Sequence, residues 1–233
     1  MFSNLEGPLP SAMRGKHLLV LGAYSRLGSQ VVCQALEASY HVTALVQTDK
    51  SLPFTRAQLQ NPNLVICVGS TLSRKDLEKV VEGKDAIINC LYPSNKPWKN
   101  NNPNLLSTTQ KLLNEVMIAH GVKRLIVVRL KTEGLTVNKS WSWIFTENKT
   151  QNDKEQQEKL IMENSENIDW TIINVGKLSN GKLTENYSLE GDEGEANKAV
   201  QKKISRADVA HFILQEIGFG KWIKRTPLIH GEE

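Results

Sequence analysis

Short apolar runs that alternate with helical segments are the feature that most constrains the fold of this 233-residue chain. Leu18–Leu21 is continuously apolar, which is typical of a strand buried on both faces. Further strands are predicted at His41–Val46, Leu64–Val68, Ala86–Leu91, Leu125–Val128 and Trp170–Val175, with a last short strand at Pro227–His230. Strands that alternate with helices need right-handed crossovers and give a mostly parallel sheet. We therefore predict a doubly wound α/β fold with strand order 3-2-1-4-5-6.

The segments between the strands differ in how clearly they predict structure. Two serines, each followed three residues later by an aspartate, fit capping boxes that begin helices: Ser73 with Asp76, and Ser205 with Asp208. Residue patterns predict an amphipathic helix at Leu105–His120 and a polar helix at Asp153–Ser165. No such pattern is found from Lys131 to about Asn152, where we expect irregular chain, or at Asn180–Ala196, where we expect a loop.

Length and composition favour one soluble domain. Two separate cores would be cramped in a chain of this size. We expect residues 1–15 to be a flexible leader and residues 16–233 to be the domain, and no apolar run approaches the roughly 20 residues that span a membrane. The odd cysteine count without a C-x-x-C pair predicts buried free thiols in a reducing compartment, and hence a cytoplasmic location. A net charge of +4 without a long basic run gives no support for nucleic-acid binding.

A glycine-containing segment lies between the first predicted strand and the first predicted helix, the position of a dinucleotide-binding turn. Gly22 can make the tight turn, and Gly28 lets the helix pack closely on the strand. The helix N-terminus then offers backbone N–H groups and a positive dipole end to a pyrophosphate. A bound dinucleotide would lie outside the carboxyl ends of strands one and four.

Several motifs resemble a known family. The segment Gly22-Ala23-Tyr24-Ser25-Arg26-Leu27-Gly28 resembles the G-A-T-G-R-x-G loop of short-chain dehydrogenases, with Ser25 in place of the middle glycine. Val81–Ile88, Ala119–Ile126, Ile168–Ile173 and Ile204–Ala210 resemble further family motifs in the same order. The layout is most similar to the NmrA-like, atypical short-chain dehydrogenases, and in particular to the biliverdin-IXβ/flavin reductase type. This resemblance implies a Rossmann-like NAD(P)-binding domain.

The resemblance also implies the cofactor contacts. We expect them at Gly22, Tyr24, Ser25, Arg26, Leu27, Gly28, Gln47, Ser70 and Leu91. Gln47 stands where an acid would hold the ribose and favour NAD, and glutamine does not repel a 2′-phosphate. Arg26, Lys50 and Arg56 can neutralise that phosphate, although Lys50 and Arg56 each also fit an ordinary surface charge. We therefore expect NADP(H) rather than NAD(H).

The catalytic residues are less clear. No tyrosine has a lysine four residues on, so the usual Tyr-x-x-x-Lys pair is missing, and Leu130 lies where the family carries a serine. The candidates near the nicotinamide are Tyr92 after strand four, Thr132 after strand five and Lys154 on the polar helix. The histidines and cysteines have no metal-ligand spacing, so no metal is expected.

Two functions stay open. The retained loop favours an NAD(P)H-dependent reductase of a small planar substrate, such as a flavin or a quinone. The missing Tyr-x-x-x-Lys pair and Ser25 favour a non-catalytic NAD(P)-binding regulator or assembly subunit. The partner is accordingly either a small molecule or another protein. Trp141 and Trp143 fit either a pocket wall for a planar substrate or an anchor for the irregular segment.

Overall fold

The computed structural model describes residues 15–92, 102–131, 141–191 and 201–232, with the backbone alone for residues 141–150. The strands are β1 (His17–Leu21), β2 (His41–Val46), β3 (Leu64–Val68), β4 (Ala86–Asn89), β5 (Arg124–Leu130), β6 (Asp169–Val175), β7 (Lys177–Ser179), β8 (Tyr187–Glu190), β9 (Lys203–Ser205) and β10 (Leu228–Gly231). The helices are α1 (Arg26–Glu37), α2 (Arg56–Leu59), α3 (Arg74–Val81), α4 (Leu105–Ala119), α5 (Trp141–Met162) and α6 (Arg206–Phe219).

The main sheet has the order β3-β2-β1-β4-β5-β6-β10-β8. Its first six strands are parallel and follow the predicted order, which confirms the doubly wound α/β fold. β10 adds a parallel strand beside β6, and β8 pairs with β10 in the antiparallel direction. The strand order reverses between β1 and β4, so the crevice for a ligand opens at their carboxyl ends.

Two apolar layers cover the sheet. Leu18 and Val20 of β1 pack on the side of α1 and α6, whereas Leu19 and Leu21 pack on the side of α3, α4 and α5. Each of these four side chains has no exposed surface. This explains why the central strand is a continuous apolar run rather than an alternating one. None of the helices in the described part of the chain is both long and apolar enough to cross a membrane.

Two of the predicted elements are wrong, namely the start of the polar helix and the loop at Asn180–Ala196. The polar helix begins at Trp141 rather than at Asp153, and the sequence has no apolar residue between Phe145 and Leu160 whose periodicity could have indicated this start. The predicted loop at Asn180–Ala196 contains β8, in which Tyr187 and Leu189 are buried against the sheet. Four alternating residues are too few to stand out in a polar segment. Residues 1–14 and Thr132 lie outside the described residues.

The two capping serines are confirmed, but the capping boxes are wrong. Ser73 Oγ accepts a hydrogen bond from the Asp76 amide at 3.3 Å, as an N-cap should. The Asp76 carboxylate accepts instead from the Ser70 amide at 3.0 Å, beyond the end of β3. Likewise Ser205 caps α6, while Asp208 accepts from the amides of Thr184 and Glu185 in the loop between β7 and β8. Both aspartates therefore fasten a loop to a helix.

The cysteines are free, but only Cys90 is fully buried. Burial raises the pKa of its thiol to about 12, which keeps it protonated and unreactive. The prediction of burial is wrong for Cys33 and Cys67, which are partly buried. Cys67 lies on β3, which is an edge strand of the sheet and is therefore less covered than the central strands.

Candidate functional site

Gly22 makes the turn that follows β1. Its φ is +76°, and a Cβ there would lie 2.6 Å from the carbonyl oxygen of Cys90. The Ser25 amide donates to the Gly22 carbonyl at 2.9 Å and closes the turn. Only glycine tolerates both this dihedral angle and this contact with the backbone after β4. The turn therefore holds the ends of β1 and β4 against each other at the crevice.

Gly28, in the first turn of α1, allows the helix to approach the strand. An added Cβ would lie 2.3 Å from the Gly22 carbonyl oxygen and 2.9 Å from the Ala23 Cα. Both neighbours are backbone atoms and cannot rotate away. The N-terminus of α1 is thus held directly over the carboxyl end of β1, where its amides face the crevice.

Ser25 is the N-cap of α1. Its backbone is extended, with φ −73° and ψ 159°, so this position does not require a glycine. Its Oγ accepts a hydrogen bond from the Gly28 amide at 2.9 Å. The amides of Arg26 and Leu27 donate no hydrogen bond within the described residues, which leaves them for an anion. The serine therefore occupies one of the amides that a glycine loop would offer to phosphate.

A cleft of about 380 Å³ runs from the end of β2, past the glycine loop, to the end of β4. Its lining includes the predicted residues Gly22, Tyr24, Ser25, Gln47, Leu91 and Tyr92. A mostly apolar cleft with a few polar groups is typical of a cofactor site. The Tyr24 hydroxyl donates to the Lys50 carbonyl at 3.3 Å, which ties the glycine loop to the loop after β2.

The other predicted cofactor residues stand beside the cleft. Arg26, Leu27 and Gly28 form the helix start, and Ser70 lies between Gly69 and Thr71, which both line the cleft. Gly69 and Thr71 were not predicted, although a glycine directly after a strand was a usable signal.

Arg26 is exposed and lies on the side of α6. Burial lowers the pKa of the Arg206 guanidinium, and repulsion from Arg26 lowers it further. Arg206 donates to the Ser179 carbonyl at 2.9 Å and to Asn180 Oδ1 at 2.7 Å. These two arginines are the first residues of α1 and α6. The contact of Arg26 with an adenosine ribose stays a prediction.

The structure brings together two of the three predicted catalytic candidates. Lys154 Nζ lies 5.8 Å from the centroid of the Tyr92 ring and donates to the Leu130 carbonyl at 3.0 Å. The Lys154 residue is 5% exposed. Asn89 fixes the chain before Tyr92, because its Oδ1 accepts from the Leu91 amide at 3.1 Å. An aromatic ring and a buried ammonium group thus meet at the carboxyl ends of β4 and β5.

Asp153, next to Lys154, was not predicted. Its buried carboxylate accepts from the amides of Leu106 and Ser107 at 2.8 and 2.9 Å. The side chain of Asn104, the N-cap residue of α4, makes no capping hydrogen bond, so Asp153 replaces it from another helix. Leu105, at the start of α4, lines the cleft. No local pattern reveals a partner that lies more than 40 residues away.

A second, smaller cavity lies between β5 and α5. This β5–α5 pocket has a volume of about 230 Å³, and its polar lining is Arg129, Lys131, Gln151, Lys154, Glu155 and Glu158. Arg129 forms an ion pair with Glu158 and donates from Nε to Asn174 Oδ1 at 2.9 Å. Lys154 lines this pocket and also faces Tyr92 at the end of the cleft, so it stands between the two cavities.

Comparison with solved structures finds the same fold in several other proteins. A Rossmann-fold NAD(P)-binding family protein from Shigella flexneri is 19% identical, with a TM-score of 0.71 and 93% of each chain covered. A short-chain dehydrogenase/reductase from Veillonella parvula in complex with NADP is 15% identical, with a TM-score of 0.72, covering 92% of this chain and 94% of that one. A protein assigned as an NADH-flavin reductase from Streptococcus pneumoniae is 21% identical, with a TM-score of 0.69, covering 94% and 100%. At these identities the likeness shows the fold.

The family follows from the sequence match. The model of the NAD(P)H-binding family matches residues 22–218, from the first glycine of the loop to the end of α6. The match begins at Gly22, whose turn has no room for a Cβ, and it ends in α6, the helix that packs on α1. The chain is therefore a member of the NAD(P)H-binding family with a Rossmann-like fold.

Proposed function

We propose that the protein is an NADP(H)-dependent reductase of a small planar acceptor, such as a flavin or a quinone, within the NmrA-like group. The observation that carries this proposal is the position of Tyr92 and Lys154 at the end of the cleft. The glycine loop lines the middle of the same cleft, so a dinucleotide whose adenosine lies at the end of β2 would place its reactive ring beside these two residues.

The residues around the cleft fit such a cofactor. At Gly22 and Gly28 the backbone leaves no room for a Cβ, so the N-terminus of α1 is held close to the ends of β1 and β4, where its amides can meet a phosphate. The amides of Arg26 and Leu27 would hold the pyrophosphate, and Gln47 would hydrogen-bond the adenosine ribose. Gly69 and Thr71 would border the adenine. When bound, the reduced nicotinamide supplies a hydride to the acceptor, which takes its proton from water.

The roles proposed for the remaining side chains are positional. Tyr92 would orient the ring of the acceptor, and Lys154 would hydrogen-bond the nicotinamide ribose. Thr132 would hydrogen-bond an acceptor carbonyl. Lys154 already donates to the Leu130 carbonyl at 3.0 Å, which fixes its ammonium group at the end of the cleft. We propose that the protein accelerates the reaction by holding donor and acceptor in contact in the right orientation.

The preference for NADP(H) rests on charge. Gln47 lines the cleft without adding a negative charge that would repel a 2′-phosphate. The Tyr24 hydroxyl donates to the Lys50 carbonyl and so holds the loop that follows β2 and begins with Gln47. Calorimetric titration with NADP+ and NAD+ tests this preference, and tighter binding of NAD+ would contradict it.

Turnover tests the reductase proposal. Flavins, quinones and biliverdin are offered with NADPH, and oxidation is followed at the nicotinamide absorbance. Oxidation that depends on both the acceptor and the protein is expected. Tyr92→Phe and Lys154→Met should each lower kcat less than about tenfold, with exposed Lys159→Met as the control on the same helix. A loss of roughly a hundredfold with unchanged cofactor affinity would instead identify a proton donor.

One observation favours a second candidate function, a non-catalytic NAD(P)-binding regulator or assembly subunit. Ser25 Oγ holds the Gly28 amide that phosphate would otherwise use, and Leu130 has no hydroxyl to polarise an acceptor. The same panel separates the two proposals. Cofactor binding without turnover of any acceptor would support the regulator or subunit.

We also propose a cytoplasmic location. Three cysteines without a disulfide between them support a reducing compartment. Fractionation of cells that express a tagged chain tests this location, and recovery in an oxidising compartment would contradict it.

A further inference from the structure

We infer that the outer edge of β3 is an interface on which a second copy of this chain docks. β3 (Leu64–Val68) is the first strand of the main sheet, and it pairs only with β2 within the part of the chain that the structure describes. Two β3 strands that pair in the antiparallel direction, about a two-fold axis at Ile66, would join the sheets of two molecules into one. This interface is independent of the proposed reaction.

The backbone of β3 has hydrogen-bonding groups left over at this edge. The Asn63 carbonyl accepts from an amide of β2 at 2.7 Å, and the Gly69 amide donates to a carbonyl of β2 at 2.9 Å, so the odd-numbered residues face β2. Because the ladder alternates, the N–H and C=O groups of Ile66 and Val68 point away from the sheet. A row of such groups is a template for another strand.

The side chains of this edge are apolar and uncharged. Val65 and Val68 are 53% and 58% exposed, the highest values among the exposed large apolar side chains of the described residues. No charged residue occurs between Arg56 and Arg74, although 23% of the chain is charged. Proteins commonly keep an edge strand unpaired with a lysine or a proline, and β3 contains neither. Like charges would therefore not oppose the docking of two copies.

The two-fold axis at Ile66 gives the register in which all five residues of each strand pair. The two Ile66 residues then exchange both of their backbone hydrogen bonds, and each Val68 amide donates to the Leu64 carbonyl of the other copy. The Leu64 amide already donates to the Asn61 carbonyl at 3.0 Å and needs no partner there. The edge of one copy thus supplies what the edge of the other requires.

The same register matches exposed side chains with partly buried ones. Leu64 and Ile66 pack on the side of α1, whereas Cys67 packs on the side of α3. Since successive side chains of a strand alternate, Val68 lies on the first side and Val65 on the second. Across the axis each Val68 would cover Leu64, and each Val65 would cover Cys67. Both exposed valines would leave water against apolar neighbours, which favours association.

The mass of the protein in solution tests the association. In analytical ultracentrifugation we expect the natural chain to sediment as a dimer that dissociates on dilution. Val68→Lys should sediment as a monomer, because a lysine on an edge strand opposes pairing. Ile118→Lys puts the same charge on an apolar side chain of α4 that is 42% exposed, and it should remain a dimer. A natural chain that is monomeric at every concentration, or a dimeric Val68→Lys, would overturn the inference.

Disulfide cross-linking tests the register. Opposed residues of a non-hydrogen-bonded antiparallel pair have Cα atoms about 4.5 Å apart, within the roughly 4.4–6.8 Å that a disulfide spans. Val65→Cys, oxidised with diamide, should therefore bond to Cys67 of the other copy and run as a covalent dimer on a denaturing gel. Adding Cys67→Ser should abolish this dimer. Val68→Cys is the matched control, because it is equally exposed but lies opposite Leu64. Equal cross-linking of Val65→Cys and Val68→Cys would show random collision and overturn the inference.

Discussion

Ser25 sets a measurable balance between the stability of α1 and the affinity for the cofactor. Its Oγ accepts from the Gly28 amide at 2.9 Å, so Ser25→Ala removes an N-cap and should cost about 1 kcal/mol of unfolding free energy. Ser25→Gly should cost only a few tenths of a kcal/mol, because glycine is itself a tolerated N-cap. The φ of −73° and ψ of 159° are open to alanine, so strain adds nothing to either value.

The same substitutions should strengthen cofactor binding. Without the hydroxyl, the Gly28 amide can donate to a phosphate oxygen, and a hydrogen bond to a charged group contributes about 1.5–3 kcal/mol. The Kd for NADP+ should therefore fall roughly tenfold to a hundredfold in both Ser25→Ala and Ser25→Gly. Ser25→Thr keeps a hydroxyl at the cap, so it should bind NADP+ with the affinity of the natural chain.

Urea unfolding and calorimetric titration measure the two effects separately. The expected pattern is lower stability without cofactor and tighter NADP+ binding in the alanine and glycine variants. If Ser25→Ala and Ser25→Gly bind NADP+ no more tightly than the natural chain, the Gly28 amide does not face the phosphate. If Ser25→Thr gains as much as the other two, the hydroxyl is not what blocks that amide.

Three further predictions test the surroundings of the cleft. Gly28→Ala should lower the free energy of unfolding in urea by about 3 kcal/mol, because its Cβ meets backbone atoms. Gly121→Ala, where φ is +68° and the space around the Cβ is open, should lower it by about 1 kcal/mol, and equal costs would contradict the packing argument. Gln47→Glu should shift the ratio of NADP+ to NAD+ affinity at least about tenfold toward NAD+, and an unchanged ratio would place the 2′-phosphate elsewhere. The Ser70 amide holds the pKa of Asp76 below the ordinary value of 3.8. The stabilisation of the folded state by the ionised carboxylate is therefore complete above that pH and is lost as the pH falls through the lowered pKa. The free energy of unfolding, measured across the acid range, should fall less steeply with pH in Asp76→Asn.

The sheet could be predicted from the sequence because parallel strands are covered on both faces. Central strands are then apolar at most positions, and such runs stand out without any knowledge of their partners. β1 and β4 are buried at nearly every residue, and both were located within two residues. The order of the strands followed from the usual arrangement of doubly wound folds rather than from any residue.

Polar contacts between distant elements could not be predicted in the same way. Asp76 and Asp208 are spaced correctly for capping boxes, yet each carboxylate binds loop amides that pack against the helix start only in the folded chain. Arg124 and Glu216 form a buried ion pair at 2.7 Å across β5 and α6. Such partners depend on tertiary packing, which overrides a local motif without leaving a trace in the spacing.

In the candidate site, too, local features could be predicted from the sequence, whereas contacts between distant elements could not. The glycine loop is local, because seven consecutive residues contain the turn, the cap and the close approach of helix and strand. The proximity of Tyr92 and Lys154 is not local, but it follows from a rule of the fold, since residues after parallel strands meet at one edge. The role of Asp153 follows from neither, and only the structure shows that it caps α4.

α5 connects this failure of prediction with the candidate chemistry. Its buried inner face includes polar residues: Asp153 binds the start of α4, Lys154 binds the β5 carbonyl, and Gln157 donates to Gln110 at 3.3 Å. The sequence also has no apolar residue between Phe145 and Leu160, so the beginning of α5 could not be found from periodicity. Those hydrogen bonds also fix Lys154 at the end of the cleft. Local rules tend to fail where a chain gives up apolar packing to hold polar groups for function, and α5 is that place in this protein.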